Sequence, residues 1–305
     1  MEKHRKKLIK NAAVFDGHSS GLAQGKKIVI EDDIVTEITA DEVSEENFDE
    51  VFDGTGMVAM PGMTDAHVHL GCLFAKGEFP VDYATVLTVA KCKDALMAGF
   101  TTFRDAGSVS EGLKLAFDEG VLPGPRIYPC GAYISQTCGH GDSEYAHTYR
   151  DIQYRHPSST VLADGVPEII RAVREQFYRG ASHIKLTATE ILNRHEDIRL
   201  LFGTDMMITG PDYQVEQSED IQYYEKRFGT MRALRALTGT ANEVFALTTY
   251  QNPYPKGKIG VLEAGSYADL LLVDGDPTKS VSVLADTDHL RLIMKGGTVY
   301  KNTLC

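Results

Sequence analysis

The clearest chemistry in this chain lies in the run Pro61-Gly62-Met63-Thr64-Asp65-Ala66-His67-Val68-His69. On an extended strand residues i and i+2 point to one face, so His67 and His69 project together. Two neutral imidazoles side by side make half a site for Zn2+ or a similar ion. Such a pair also occurs as ordinary surface or structural histidines. The apolar run, the Pro-Gly turn and Asp65 ahead of it favour the ligand reading here, with Asp65 placed to orient a histidine from behind. Arg104-Asp105 closes a second apolar run, where a substrate-carboxylate contact and a structural ion pair are both open. His4, His18, His147, His156 and His289 stand in terminal or loop-like sequence and are expected at the surface.

The elements that would position these residues fall into two kinds. The ends read as β structure. Residues 8–15 run into Asp16-Gly17, and residues 26–38 hold two β-branched runs around an acidic turn at 31–33. Residues 41–50 are acid-rich and read as a loop or solvated edge. Near the other end, residues 268–273 form an apolar run. Residues 290–295 and 298–301 flank Gly296-Gly297, a pair suited to a two-residue hairpin. Both termini are thus expected to supply one small composite β domain, residues 1–56 with 257–305.

The middle, residues 57–256, alternates strands with helices. Strands are expected at 57–70, 100–104, 126–130, 183–186 and 200–203, and helices at 83–97, 111–119, 167–179 and 231–247. In the 167–179 helix Ile169, Ile170, Val173 and Phe177 are expected to share a face. Alternation of this kind means a parallel β/α architecture. No internal repeat is visible.

Composition narrows the function classes. The 305 residues are 43% hydrophobic and 24% charged, enough for a large core. The net charge of −12, from 31 Lys+Arg against 43 Asp+Glu, argues against nucleic acid, whose phosphates need a basic face, and against anionic lipid. No run of 18 apolar residues offers a membrane span. The start is basic, but the apolar stretch after it is broken by Lys10 and Asn11, a poor secretion signal. Five cysteines without a CxxC pair fit a reducing, cytoplasmic setting.

In order along the chain, these motifs resemble the amidohydrolase superfamily, in particular its imidazolonepropionase-like and prolidase-like members. His67-Val68-His69 resembles the end of the first strand of a TIM-like barrel, and residues 99–107 the second strand and its loop. Residues 124–126 lead to the third strand, with Gly139-His140-Gly141-Asp142 after it. Residues 180–186 resemble the fourth strand, 202–205 the eighth, and 265–274 the C-terminal β segment. The resemblance implies a metal site of His67, His69, Lys185 and Asp205. Lys185 would be carried as a CO2-derived carbamate between one or two divalent ions, zinc by preference. Asp205 would be both ligand and proton shuttle. It implies hydrolysis of a C–N bond, amide or peptide, in a small substrate such as an Xaa-Pro-like dipeptide, an N-acyl amino acid or a cyclic imidazolone. His140 and Arg104 are placed to touch substrate, since loops at the C-terminal face of a barrel line the pocket. A homo-oligomer is left open.

The chain departs from that pattern in length. Only 19 residues lie between Lys185 and Asp205, whereas three intervening strands with their helices need on the order of 100. Strands five to seven, with two further histidines for a second metal, have no counterpart. The barrel is therefore expected to be truncated between about 187 and 198 and incomplete, and a catalytically impaired deletion form stands as the alternative. His183 and His195 are weaker substitutes for the absent ligands.

Overall fold

The computed structural model describes residues 5–70, 81–107, 111–137, 139, 141–142, 160–185, 199–207 and 213–304. Fifteen strands are assigned among them: β1 (Lys6–Lys10), β2 (Ala13–Val14), β3 (Lys27–Glu31), β4 (Ile34–Thr39), β5 (Glu50–Asp53), β6 (Val58–Pro61), β7 (Met63–His69), β8 (Phe100–Asp105), β9 (Arg126–Tyr128), β10 (Tyr133–Ser135), β11 (Thr160–Leu162), β12 (Met206–Met207), β13 (Leu270–Val273), β14 (Leu290–Lys295) and β15 (Thr298–Asn302). Six α-helices accompany them: α1 (Val81–Met97), α2 (Glu111–Asp118), α3 (Val166–Tyr178), α4 (Tyr213–Phe228), α5 (Thr230–Leu237) and α6 (Gly239–Phe245).

The terminal segments form two sheets, ordered β4-β3-β1-β5 and β15-β14-β13-β6-β2. Ile9, Ile28, Ile30, Val35 and Phe52 from the first share one buried cluster with Ala59, Leu270, Leu272, Leu292 and Met294 from the second. The expected Gly-Gly hairpin joins β14 to β15, and both glycines take the positive φ that such a turn requires (54° and 69°).

The site-bearing sheet is parallel, ordered β12-β7-β8-β9. Beyond β9, Ser182 N donates to Pro129 O (2.7 Å) and Ile134 N to Lys185 O (3.0 Å), so residues 182–185 run beside the chain between β9 and β10. The architecture is α/β with helices following parallel strands. Among the described residues it does not close into a barrel. Its core joins β7 and β8 (Val68, Phe100, Phe103) to Leu96, Phe202, Ile221, Leu234 and Leu237, and reaches Leu271 and Ile293 of the terminal sheet.

Several elements differ from the sequence reading. The single strand expected at 57–70 is two. At Gly62 the chain leaves one sheet for the other, with Gly62 N bonded to Asp269 O and Met63 N to Gly99 O; β6 thus belongs with the terminal strands. No strand is assigned at 200–203 or 183–185. Both segments still carry ladder-like backbone bonds, but too few for a continuous strand. Residues 41–50 include a 3-10 turn, Glu45–Asn47. The helix expected at 231–247 breaks at Thr238, whose φ and ψ of −134° and −99° leave the helical region. In α3 the inner face is Ile169, Ala172, Val173 and Gln176, while Ile170 is 44% exposed. Ile170 is offset from Ile169 by about 100° around the helix axis. Helix α4 was not foreseen.

Candidate metal centre

β7 follows the period-2 rule that the motif suggested. Val68 is fully buried in the core, while His67 and His69 face the other way. Their ring centroids lie 5.4 Å apart. Lys185 reaches both: Nζ is 3.0 Å from His67 Nε2 and 3.1 Å from His69 Nε2. Asp205 arrives from the opposite side of β7, with Oδ1 3.0 Å from His67 Nε2 and 3.2 Å from His69 Nε2. The four side chains expected to meet therefore do so, although residues 67 and 205 are far apart along the chain.

The approach of the 202–205 segment to β7 has a local cause. Ala66 N donates to Phe202 O (2.8 Å) and Asp205 N to His67 O (2.9 Å), bracketing Gly203. A Cβ at Gly203 would lie 2.8 Å from His67 Cβ, so only glycine permits this contact. Asp205 itself has a left-handed φ of 54°, a conformation aspartate tolerates better than most residues. That turn swings its carboxylate back over the histidines.

Asp65 is fully buried, and it acts differently from the expectation. It does not hold an imidazole; it holds backbone. Oδ1 accepts from His67 N (3.1 Å) and Thr204 N (3.3 Å), and Oδ2 from Thr204 Oγ1 (2.9 Å) and Gln217 Nε2 (3.4 Å). It pins the segment carrying Asp205 to the strand carrying the histidines. Burial pushes its carboxyl up to about 7, against the pull of these donors. The sequence reading missed Thr204 and Gln217. Thr204 was signalled only by adjacency to Asp205. Gln217 sits in the polar pattern of α4, where nothing distinguishes a buried glutamine from a solvated one.

Electrostatics favour neutral imidazole at His67. Burial first, then the Lys185 charge, lowers its pKa to about 4, against the opposing pull of Asp205. A single Nε2 cannot accept from Lys185 and donate to Asp205 at once. Each imidazole thus faces an amine and a carboxylate that compete for one nitrogen, and a cation held jointly by the nitrogens and the carboxylate removes the conflict. Ligand atoms of His67, His69 and Asp205 lie within 4.8 Å of one another. Their donor chemistry, two imidazoles and a carboxylate, fits a zinc-class ion. Asp205 is the most open of them, its side chain 72% exposed against 12% for His69.

The remaining candidates are placed as follows. The Arg104 guanidinium lies largely buried behind the histidines and donates to Ala66 O (3.4 Å). Asp105 accepts from the Leu70 and Gly107 amides (3.1 and 3.2 Å), so backbone donors occupy it in the role where an ion pair with Arg104 was one expectation. His183 is half-buried beside Ser182 Oγ (3.0 Å), and desolvation, then Arg104, lowers its pKa to about 3. It is not part of the ligand cluster. His18 lies at the loop after β2, and His289 Nδ1 contacts Asp274 O (2.5 Å). His140 and His195 lie outside the described residues. Cys92 and Cys130 are buried, and no helix of the described chain is long and apolar enough to cross a membrane.

Comparison with known proteins agrees with this geometry. Residues 58–198 match the amidohydrolase family. The chain is 34% identical over 152 residues to an ochratoxinase of Aspergillus niger, covering 43% of this chain and 31% of that protein. It is 40% identical over 176 residues to an imidazolonepropionase of Picrophilus torridus, covering 53% and 43%. These matches span less than half the length of either curated relative. Among solved structures, a prolidase complexed with N-methylphosphonate-L-proline superposes with a TM-score of 0.82 at 22% identity, covering 97% of this chain and 100% of that one, which supports the fold. Residues 58–198 thus carry the match to the amidohydrolase family, and the chain shares its fold with that prolidase.

Proposed function

We propose that this protein is a metal-dependent amidohydrolase that cleaves a C–N bond of a small substrate, such as an Xaa-Pro-like dipeptide, an N-acyl amino acid or a cyclic imidazolone. The observation that carries this reading is that Lys185 and Asp205 each come within hydrogen-bond distance of both imidazoles, those of His67 and His69. The names of its relatives, an ochratoxinase, an imidazolonepropionase and a prolidase, support the substrate class. In this reading residues 57–256 form the catalytic unit, truncated between about 187 and 198, and residues 1–56 with 257–305 form the composite β domain.

His67, His69 and Asp205 would hold a divalent ion, zinc by donor preference, and Lys185 would join them as a carbamate formed with CO2. When bound, the ion supplies Lewis acidity to the substrate carbonyl and acidity to water. The remaining work falls to the chain. His67, held neutral by burial, offers a lone pair without first losing a proton. The exposed carboxylate of Asp205 takes a proton from the attacking water and returns it to the leaving nitrogen. Asp65 keeps that carboxylate in register with the histidines. Arg104 supplies positive charge behind the site for a substrate carboxylate, and His140 would be a second substrate contact. The buried cysteines and the acidic charge fit a reducing cytoplasm.

The alternative, a catalytically impaired deletion form, is favoured by one observation. Among the described residues the parallel sheet does not close, and the ligand cluster holds only two histidines. One experiment separates the readings. Zinc-loaded protein is assayed against a panel of Xaa-Pro dipeptides and N-acyl amino acids, with chelator-treated protein as control. Chelator-sensitive release of free amine is expected. Full metal content without turnover across the panel would favour the impaired form.

A further inference from the structure

We infer that the cavity at the start of α5 binds a small dianion of the phosphate class. This cavity, of about 630 Å3, is lined by Arg199, Arg232, Arg235, Phe228, Thr240 and Glu243, among others. It shares no residue with the metal centre. Leu200, in its wall, lies five residues before Asp205 on the segment that runs beside β7.

Three guanidinium groups around one hollow are unusual in a chain of net charge −12. Their only carboxylate in the lining is Glu243, and Arg199 Nε already takes it at 2.8 Å. Arg232 is exposed, and its guanidinium carbon lies 5.6 Å from the centre of the Phe228 ring. Arg235 is the sharper observation. Its Nε atom is buried and has no acceptor among the described residues, and a buried donor left unpaired is costly enough that native structures rarely keep one without a purpose. A guanidinium presents paired donors that match phosphate oxygens two at a time. The first turn of α5 adds backbone N–H groups at the same rim, and its N-cap, Gly229, gives no side-chain acceptor for them. The nearby Glu225 carboxylate does not compete for the arginines, being occupied by Thr230, Ser280, Ser282 and the Val281 amide. Arg232, exposed at the rim, and Arg235, half-buried in the wall, have no carboxylate partner among the described residues, which favours a phosphate-like dianion over a monocarboxylate.

The test is calorimetric titration of the full chain with inorganic phosphate, and with acetate and chloride at matched ionic strength. Saturable binding of one phosphate per chain is expected, with acetate and chloride at least tenfold weaker. Arg235→Gln should weaken phosphate about tenfold, while His67→Asn should leave it unchanged. Independently of any variant's folding, phosphate should slow phenylglyoxal modification of Arg232 and Arg235 in the wild-type chain, read by mass spectrometry. Absence of saturable binding, equal binding of acetate, unprotected arginines, or binding lost in His67→Asn and kept in Arg235→Gln would each overturn the assignment.

Discussion

Asp205 combines three properties seldom found together: a left-handed backbone, an exposed carboxylate, and contact with both histidines of β7. An exposed carboxylate that serves only as a cap would not need the first of these. Asp205→Asn is therefore expected to lower kcat on any amide the protein cleaves by roughly 10²–10⁴-fold, the usual range for loss of a general acid-base group. Unchanged turnover in that variant would remove the carboxylate from the mechanism. At this scale much of the site was legible. The H-x-H pair reads directly as period-2 projection from a strand. Lys185 and Asp205 were legible only through their resemblance to family motifs, because a lysine at a strand end is ordinarily a snorkelling surface residue. Thr204 and Gln217 were not legible. Whether a polar side chain in a mixed helix is buried depends on what packs over it, and no local pattern records that.

At the scale of elements, the parallel sheet and the terminal sheets are tied through Arg126 of β9. Its guanidinium binds Asp269 in two places (2.7 and 3.2 Å) and lies 3.8 Å over the Tyr267 ring. The Asp269 carboxylate also accepts from Gly296 N (2.7 Å). Asp269→Ala would leave a buried guanidinium unpaired, and a loss of about 3–5 kcal/mol in unfolding free energy is expected in urea titration. A loss under about 1 kcal/mol would show that the pair is solvated.

Nearby, Lys295 of β14 is buried and donates to Gly124 O (2.6 Å), and burial lowers its pKa from 10.5 to about 8. Because the folded value lies below the unfolded one, the unfolded chain holds more protons between these two values. Stability from this residue thus rises as pH increases from about 8 to 10.5 and is flat below. The stability difference between wild type and Lys295→Met should shift toward wild type across that window, by on the order of 3 kcal/mol at most. A pH-independent difference would contradict the burial. The sequence signalled most of these elements through β-branched runs and Gly punctuation. It did not signal that one apolar run, 57–70, serves two sheets, because an unbroken hydrophobic stretch carries no mark of where its neighbours change.

For the whole molecule, the fold brings residue 67 to residues 185 and 205 through parallel pairing of β7 with β8 and β12. That convergence survives although only 19 residues join Lys185 to Asp205. The sheet order places β12 against β7, the pairing that brings Asp205 to the histidines. His67, His69 and Asp205 are expected to hold a cation together. Calorimetric titration of metal-free protein with Zn2+ tests it most directly, wild type against a His67→Asn, His69→Asn double variant of equal melting temperature. At least one zinc per wild-type chain, lost in the double variant, is the result predicted; no zinc bound, or equal binding by both proteins, would contradict it.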